Sequence, residues 1–464
     1  MKYILQTVLL AIMICFSACG EDRSGEYYAL IEDRMWIEET MQEHYLWYDQ
    51  IPVIENESNY FKEANVFFKS LLSKKALNGK GDKYSYMEDN STDEETRSRV
   101  LSLKRESTYG IEFELLTDPL GGTTHTYAHV LYTLPNSPAA AAGIKRGDWI
   151  TSINGNKITS DNYNLLQTGS NLSITVDKIV ETENGREWQA VETITLAASV
   201  PMEINPFLVD SVYDVNGQKV AYLVYNEFAT GPSNESSETE YNEQMRQIFT
   251  TFKAQSPDAF VLDLRYNNGG YLQCAQALGS MLAPESALGK DFIKLVFNDK
   301  ATTPVQHFPF DEGYASANLN LSKVYILTSS YTASASEALI YGLIPYMGQE
   351  NVILLGEKTE GKNVAMTAYN SEEYGYTLWP VVAYVYNAND QGDYYEGITP
   401  QYQLKENDVT LPWYTLGDTR EYMLAKTLEL ITTGNLSNGE ESQSKATVIH
   451  STLHERSCPG VRFQ

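Results

Sequence analysis

The stretch Ala259-Phe260-Val261-Leu262-Asp263-Leu264-Arg265-Tyr266-Asn267-Asn268-Gly269-Gly270 indicates the fold of the largest part of the chain. It begins with a nearly continuous apolar run, as a strand buried on both faces requires. Similar runs at 324–327 and 352–355 alternate with apolar helical stretches. Strands that alternate with helices predict right-handed crossovers and a mostly parallel sheet. We therefore expect an α/β domain over about residues 204–435.

Residues 107–200 change to short β patterns separated by turn signals. Ser137-Pro138 before an alanine run that ends at Gly143 predicts a short helix capped by Ser137. Asn154-Gly155 is a strong hairpin dipeptide. The whole stretch SPAAAAGIKRGDWITSING, residues 137–155, resembles a PDZ domain. That resemblance implies a β-sandwich or barrel-like domain with short helices.

The PDZ resemblance also implies a peptide-binding loop. Its place is taken by Tyr109-Gly110-Ile111-Glu112-Phe113. Exposed amides there would capture a terminal carboxylate while the peptide adds as a strand to a sheet edge. The alternative is a PDZ fold that serves only as a spacer.

The two ends of the chain differ in character from these domains. Residues 27–100 read as a small, mostly helical N-terminal domain without visible chemistry, because apolar residues recur there at near-helical spacing. These are Met35, Ile37, Met41, Leu46, Phe61, Val66, Phe67 and Leu71. Residues 436–464 are polar and rich in Ser, Gly and Glu, and we expect them to be disordered.

Residues 1–19 read as an export signal. Lys2 precedes an apolar run, Ile4 to Phe16, that is too short to span a bilayer comfortably. The run ends in Phe16-Ser17-Ala18-Cys19, which resembles a bacterial lipobox. The resemblance implies that Cys19 is lipidated and anchors the protein in the bacterial cell envelope, on the periplasmic or the surface face of the outer membrane. The alternative is an ordinary secretory signal with a coincidental cysteine.

Charge and cysteine content exclude several classes of function. A net charge of −27 argues against nucleic acid as a partner, because phosphate binding needs clustered Lys and Arg. Beyond the leader only Cys274 and Cys458 remain, too far apart for a disulfide framework or a metal cluster. Cys274 falls in an apolar helical pattern, so we expect it to be buried. We expect no metal and no cofactor.

Three segments carry possible chemistry. In Tyr331-Thr332-Ala333-Ser334-Ala335-Ser336-Glu337 a hydroxyl stands at a helix N-terminus, beside free backbone N–H groups and in a positive field. That position suits a nucleophile whose attack creates an oxyanion. However, Ser334-x-x-Glu337 is also a capping box, which needs no catalysis.

The second segment, Gly356-Glu357-Lys358-Thr359-Glu360-Gly361-Lys362, offers two lysines. A lysine acts as a general base only when neutral, so desolvation must lower its pKa from about 10.4. The alternative is a solvated surface lysine. In the third segment, Gly269 and Gly270 could hold an oxyanion together with the amide of Ala335. Asp263 and Arg265 beside them could form a purely structural ion pair.

Taken in this order after a PDZ signature, the three segments resemble those of the C-terminal processing (tail-specific) peptidases. That family has a crotonase-like fold and cleaves protein or peptide substrates. The resemblance implies Ser334, and not Ser336, as nucleophile, and Lys362, and not Lys358, as base. It further implies Glu337 as an accessory group and Ala335 with Gly269 or Gly270 as oxyanion donors. Gly397-Ile398-Thr399-Pro400 resembles the family's closing element.

The chain departs from the family pattern at a few positions. Many members carry a Gln four residues after the lysine to orient it, whereas this chain has Met366. Asn268 replaces a frequent Pro, and the stretch between Ser334 and Lys362 is slightly long. The third member of the catalytic group is therefore not identified from the sequence.

Two functions from different classes follow. The first is a serine endopeptidase with a Ser334/Lys362 dyad that cleaves near C-termini, with the PDZ domain presenting the substrate. The second is a non-catalytic envelope protein on the same fold that binds a peptide or an apolar ligand. The presence of both dyad residues in register favours the enzyme.

Overall fold

The computed structural model describes residues 28–89, 104–233, 236–406, 413–437, 446–455 and 461–463. They form an N-terminal domain (28–89), a middle domain (104–203), a large domain (207–433) and a C-terminal segment (446–455 and 461–463). The predicted export signal and Cys19 lie outside the described residues. Within the described ranges, no helix is both long enough and apolar enough to cross a membrane.

The N-terminal domain packs its helices onto the large domain. It contains α1 (Glu32–His44), α2 (Ala64–Leu71), α3 (Ala76–Gly79), 3-10 turns at Tyr48–Gln50 and Glu57–Phe61, and β1 (Tyr86–Asp89). Ile37, Met41 and Phe67 share one apolar cluster with Val364 and Met366 of the large domain. The large domain contributes five of the sixteen buried residues of this cluster, so the two domains share one core.

Two of the apolar residues that recur at near-helical spacing in the N-terminal domain are exposed. Val66 is 53% exposed because α2 buries the face formed by Ala64, Phe67, Phe68 and Leu71, and Val66 lies off that face. Phe61 ends a 3-10 turn and is 54% exposed. Apolar spacing alone did not separate the buried face from its neighbours here.

The middle domain consists of one main antiparallel sheet, a separate two-stranded sheet of its first and last strands, and one short helix. Its elements are β2 (Lys104–Thr108), β3 (Ile111–Thr117), β4 (Thr126–Thr133), α4 (Pro138–Ala141), β5 (Trp149–Ile153), β6 (Asn156–Lys157), a 3-10 turn at Tyr163–Leu166, β7 (Leu172–Thr182), β8 (Gly185–Leu196) and β9 (Val200–Glu203). Ser137 Oγ accepts a hydrogen bond from the Ala140 N–H at 3.0 Å, which confirms the predicted cap. Asn154 and Gly155, both with positive φ, turn β5 into β6 as predicted.

The large domain is the predicted α/β unit. Its strands are β10 (Phe207–Val215), β11 (Gln218–Tyr225), β12 (Ala259–Asp263), β13 (Asp291–Phe297), β14 (Val305–Pro309), β15 (Val324–Thr328), β16 (Val352–Gly356), β17 (Val364–Met366), β18 (Tyr369–Ser371), β19 (Tyr376–Trp379), β20 (Val381–Asn387) and β21 (Tyr402–Gln403). Its helices are α5 (Glu240–Gln255), α6 (Leu272–Leu282), α7 (Ala335–Met347) and α8 (Tyr422–Thr433).

The sheets of the large domain explain why β12 is apolar throughout. One sheet has the order β10-β11-β12-β15-β16-β21, parallel from β11 onward. The core on one face includes residues of α5, α6 and α7, and the core on the other includes residues of α8. A second sheet has the order β14-β13-β20-β17-β23, in which β23 (Val461–Arg462) belongs to the C-terminal segment. The carboxyl ends of β12, β15 and β16 lead into the three predicted chemical segments, as parallel strands require. Cys274 is a fully buried residue of α6, as expected.

The expectation of disorder is wrong for the described part of the C-terminal segment. This segment forms β22 (Val448–Ser451), α9 (Thr452–Glu455) and β23 (Val461–Arg462). β22 adds to β3 in the middle domain and β23 adds to β17 in the large domain. Backbone pairing at existing sheet edges orders it, and a polar composition does not reveal such pairing.

A buried ion cluster joins the middle domain to the large domain. Arg146 from the middle domain contacts Glu406 and Glu421, the latter at 3.2 Å. Arg265 contacts the same two carboxylates and forms an ion pair with Asp263 at 2.6 Å. The structural ion pair considered for Asp263 and Arg265 is therefore present. Charges this deeply buried are tolerated only when paired.

We expect Arg146→Met to lower the free energy of unfolding by about 3–5 kcal/mol. Arg265 alone would then face three carboxylates, of which those of Asp263 and Glu421 are buried and that of Glu406 is partly exposed. Urea unfolding of the full chain measures the change. Arg246→Ala is the control, because Arg246 belongs to an exposed ion pair with Glu243 on α5 and its loss should have no measurable effect. Equal stability of Arg146→Met and the parent would contradict this role for the cluster.

Candidate active site

Ser334 occupies a strained position between β15 and α7. Its φ of 63° and ψ of −113° lie outside the usual regions for a residue with a side chain. The backbone of Gly269 lies against it, so closely that a Cβ on Gly269 would stand 2.7 Å from Ser334 Cβ. Strain of this kind persists only where the surrounding structure enforces it, and it is concentrated at functional sites.

The Ser334 hydroxyl is not used as a helix cap. Ser334 Oγ is buried and has no hydrogen-bond partner in the part of the chain that the structure describes. Only the other half of the capping box has normal geometry, with the Ser334 N–H donating to Glu337 Oε2 at 2.8 Å. A buried unpaired hydroxyl is unfavourable, so its retention needs a reason other than stability.

Glu337 connects the serine segment to the lysine segment. Its fully buried carboxylate accepts hydrogen bonds from Thr359 Oγ1 at 2.5 Å, from the Gly361 N–H at 2.7 Å and from the Lys362 N–H at 2.8 Å. Burial raises the pKa of Glu337 to about 7, although its hydrogen bonds favour the ionised form. Glu337 thus fixes the backbones of Ser334 and Lys362 relative to each other.

Lys362 and Lys358 lie in different environments. Lys362 is 5% exposed, whereas Lys358 is exposed to solvent. Tyr84 of the N-terminal domain covers Lys362, with Nζ 4.6 Å from the centre of the phenol ring. No sequence pattern pointed to Tyr84, because it comes from a distant segment without a motif. Met366, which stands where the family often has Gln, is buried in the shared apolar cluster and offers no polar group to the lysine.

The predicted oxyanion donors gather beside Ser334. The Ala335 N–H belongs to the first residue of α7 and therefore has no acceptor within the helix. The Ala335 nitrogen would stand 3.0 Å from a Cβ on Gly269, so the two backbones are in contact. The Gly269 N–H donates to Asn267 Oδ1 at 2.8 Å, which favours Gly270 as the second donor.

The loop expected to bind a carboxylate has no exposed amides at its start. The Tyr109 N–H donates to Gln167 O at 3.1 Å and the Gly110 N–H donates to Thr108 Oγ1 at 2.9 Å. Ile111, Glu112 and Phe113 are buried in β3. A Cβ on Gly110 would lie 2.3 Å from Ser137 Cβ, so the loop packs tightly onto the start of α4. Local hydrogen bonds thus already use the amides of Tyr109 and Gly110, and peptide binding along the rest of this stretch stays a prediction.

Glu337 should make protein stability depend on pH. Its pKa in the folded protein lies above the ordinary 4.5, so the folded protein binds this proton more tightly than the unfolded chain does. The free energy of unfolding should therefore lose on the order of 3 kcal/mol between pH 4.5 and 7 and stay level above that range. We expect Glu337→Gln, which cannot titrate, to lack this loss.

Urea unfolding at a series of pH values measures the effect as the difference between parent and variant. Glu285→Gln, at an exposed glutamate, is the control and should follow the parent. Parallel pH profiles for the parent and Glu337→Gln would contradict the raised pKa.

Comparisons with known proteins identify the families and relatives that this chain resembles. The family model for peptidase family S41 matches residues 219–404, that for the S41 N-terminal domain matches 34–86, and that for a PDZ domain matches 129–178. The chain is 30% identical over 252 residues to a carboxyl-terminal-processing protease of Picosynechococcus, covering 52% of each chain. It is 23% identical over 305 residues to the carboxy-terminal processing protease CtpA of Bacillus subtilis, covering 62% of this chain and 57% of that one. The chain thus spans about half the length of the curated relatives it matches.

A solved structure extends the likeness over nearly the whole molecule. The crystal structure of an S41 protease from Bacteroides fragilis is 32% identical, with a TM-score of 0.74. The match covers 86% of this chain and 97% of that one. The chain belongs to peptidase family S41 and carries the N-terminal domain of that family and a PDZ domain.

Proposed function

We propose that the protein is a serine endopeptidase that cleaves proteins or peptides near their C-termini with a Ser334/Lys362 dyad. One observation carries the proposal. Ser334 has a strained backbone and a buried hydroxyl with no hydrogen-bond partner in the described residues, at the start of a helix tied to the Lys362 loop through Glu337. The names of the matched relatives, carboxyl-terminal-processing proteases, support the preference for C-termini.

A few groups of the protein take part in the proposed reaction. Ser334 Oγ attacks the carbonyl carbon of the scissile bond, and neutral Lys362 Nζ takes the hydroxyl proton. The N–H groups of Ala335 and Gly270 hold the oxyanion of the tetrahedral intermediate. Lys362 then gives the proton to the leaving amine, which departs as the acyl-enzyme forms. Lys362 then takes a proton from water, which attacks the ester carbonyl, and returns that proton to Ser334 Oγ as the acid is released.

The surroundings of Lys362 suit a general base. The lysine is nearly excluded from solvent, and the aromatic face of Tyr84 covers it. Removal from water disfavours the charged form of an amine, while the ring partly compensates the ammonium that forms during the reaction. Glu337 contacts the backbone N–H of Lys362, and in this proposal it positions both dyad residues without touching the substrate.

Substitutions at three residues test the dyad. We expect Ser334→Ala and Lys362→Ala to lower the turnover of casein and of a C-terminal peptide by at least about 1000-fold. Lys358→Ala, the matched control in the same loop, should keep most of the activity because Lys358 is exposed. Thermal unfolding verifies that each variant is folded.

Two outcomes of this experiment would overturn the proposal. Residual activity of Ser334→Ala within about tenfold of the parent would remove the nucleophile and favour the non-catalytic peptide-binding function. Loss of activity in Lys358→Ala with survival of activity in Lys362→Ala would show that the base is the other lysine.

We also propose that Cys19 carries lipid and anchors the protein in the bacterial cell envelope. The support is the sequence Phe16-Ser17-Ala18-Cys19 after a short apolar run. Cys19→Ala should yield protein that is unprocessed or released from membranes, measured by cell fractionation and mass spectrometry of the N-terminus. A mature N-terminus at another residue would contradict the lipoprotein assignment.

A further inference from the structure

The C-terminal segment completes the outer edge of the middle-domain sheet. β22 lies antiparallel to β3, with Val448 opposite Leu116 and Ser451 opposite Glu114. The Thr117 N–H also donates to the carbonyl oxygen of Thr447 at 3.0 Å. β22 is the last strand of this sheet, so without it the edge would be β3. An open strand edge is the usual place for a peptide to add to a sheet.

Side chains fit the segment to this edge more specifically. Thr452 Oγ1 accepts a hydrogen bond from the Phe113 N–H at 3.1 Å and donates to Glu112 Oε2 at 2.8 Å. The ring of His450 lies 4.7 Å from that of Tyr163 in the 3-10 turn. The segment therefore forms hydrogen bonds with a backbone amide and a buried carboxylate of β3. A peptide bound along β3 would face these two groups if the segment were absent.

Beyond β22 the segment reaches the loop that carries the nucleophile. Leu453 is fully buried in an apolar cluster that includes Tyr331, three residues before Ser334. The carbonyl oxygen of Leu453 accepts a hydrogen bond from Asn268 Nδ2 at 2.6 Å. The centre of the His454 ring lies 4.7 Å from that of the Tyr331 ring, and the two ring planes make an angle of 61°.

The last described part of the segment contacts the oxyanion turn. The Arg462 N–H donates to the carbonyl oxygen of Gly270 at 3.1 Å, and β23 runs parallel to β17. Asn268 and Gly270, the two contact points of the segment, flank Gly269, and Gly269 packs against Ser334. The segment thus contacts the chain on both sides of the residue that backs the nucleophile.

The edge of β3 is itself linked to the nucleophile loop. The Tyr331 hydroxyl donates to Glu114 Oε1 at 2.6 Å, and Glu114 belongs to β3 opposite Ser451. A chain paired with β3 therefore lies beside a residue that holds the Ser334 loop. β3 thus pairs with the C-terminal segment along its edge and contacts the nucleophile loop through the side chain of Glu114.

From these contacts we infer that the C-terminal segment occupies the route of an extended substrate polypeptide and competes with it. The route runs along β3 and on to the turn at Gly269 and Gly270. This inference rests on the proposed peptidase function. It goes further because it names the path of the substrate polypeptide and the segment of the chain that occupies this path. Substrate must displace the segment, so the intact chain is held in a state of low peptide affinity.

A binding experiment tests the occupied route without relying on catalysis. The probe is a fluorescent peptide with the sequence of residues 446–464, added to full chains that carry Ser334→Ala. We expect Leu453→Asp to raise the affinity for the probe by about tenfold or more, because a buried carboxylate expels the resident segment. Thr452→Val, which removes only the hydroxyl, should give a smaller rise in the same direction.

Ile449→Asp is the matched control for Leu453→Asp. It makes a similar change in β22, but Ile449 is 56% exposed, so the affinity for the probe should stay at the parent value. Thermal unfolding checks the fold of each variant, and Thr452→Val decides the question if Leu453→Asp does not fold. Unchanged probe affinity in a folded Leu453→Asp or, in its place, Thr452→Val would overturn the inference.

Activity measurements in chains that keep Ser334 separate this inference from the proposed function. We expect Leu453→Asp to cleave peptides with a higher kcat/KM than the parent, and the 446–464 peptide to inhibit it competitively. If probe affinity rises as expected but no variant cleaves any substrate, the peptidase proposal fails and the occupied route stands. If cleavage occurs at parental kcat/KM and the probe neither binds better nor inhibits, the occupied route fails and the peptidase stands.

Discussion

The buried carboxylate of Glu337 is the interaction on which the arrangement of the site depends. It accepts hydrogen bonds from the backbone of Ser334 on one side and from Thr359, Gly361 and Lys362 on the other. Its place in the first turn of α7 suits a negative charge, because the free N–H groups of a helix N-terminus carry partial positive charge. Two loops that follow different strands of the parallel sheet therefore meet at one side chain. A carboxylate so deeply buried is stable only while those donors stay in place, so it holds both loops in a single geometry.

The site also depends on contacts between domains. The N-terminal domain places Tyr84 over Lys362, and it does so because its apolar residues share a core with β17. The middle domain reaches the nucleophile loop through Glu114 and Tyr331 and is tied to the large domain by the buried cluster around Arg146. Exclusion of water from Lys362 is thus a property of the assembled chain. A large domain alone would leave the lysine open to solvent on the side that Tyr84 now covers.

Local sequence patterns predicted much of the fold, because each pattern depends only on residues that are close together in the chain. The apolar run at Ala259–Asp263 predicted a strand covered on both faces, and the structure places β12 between helices on each side. Ser137 and Asn154-Gly155 predicted a helix cap and a hairpin through side-chain and φ preferences that act within a few residues. The same reasoning placed the three chemical segments after buried strands of the sheet. The choice of Ser334 over Ser336 and of Lys362 over Lys358 within those segments came from the resemblance to the C-terminal processing peptidases.

The sequence by itself determined the α/β architecture, the order of the domains and the residues that meet at the carboxyl ends of β12, β15 and β16. Those features follow from periodicity, turn chemistry and the topology of parallel strands, which are local or nearly local. Only the tertiary structure decided that the Ser334 hydroxyl is not a cap and that the amides of Tyr109 and Gly110 are already hydrogen-bonded. It also decided that Tyr84 covers Lys362 and that a polar C-terminal segment is ordered along β3. Each of these depends on which distant groups supply a hydrogen-bond partner or remove water, and a strand that adds to an edge through its backbone leaves no apolar pattern in its own sequence.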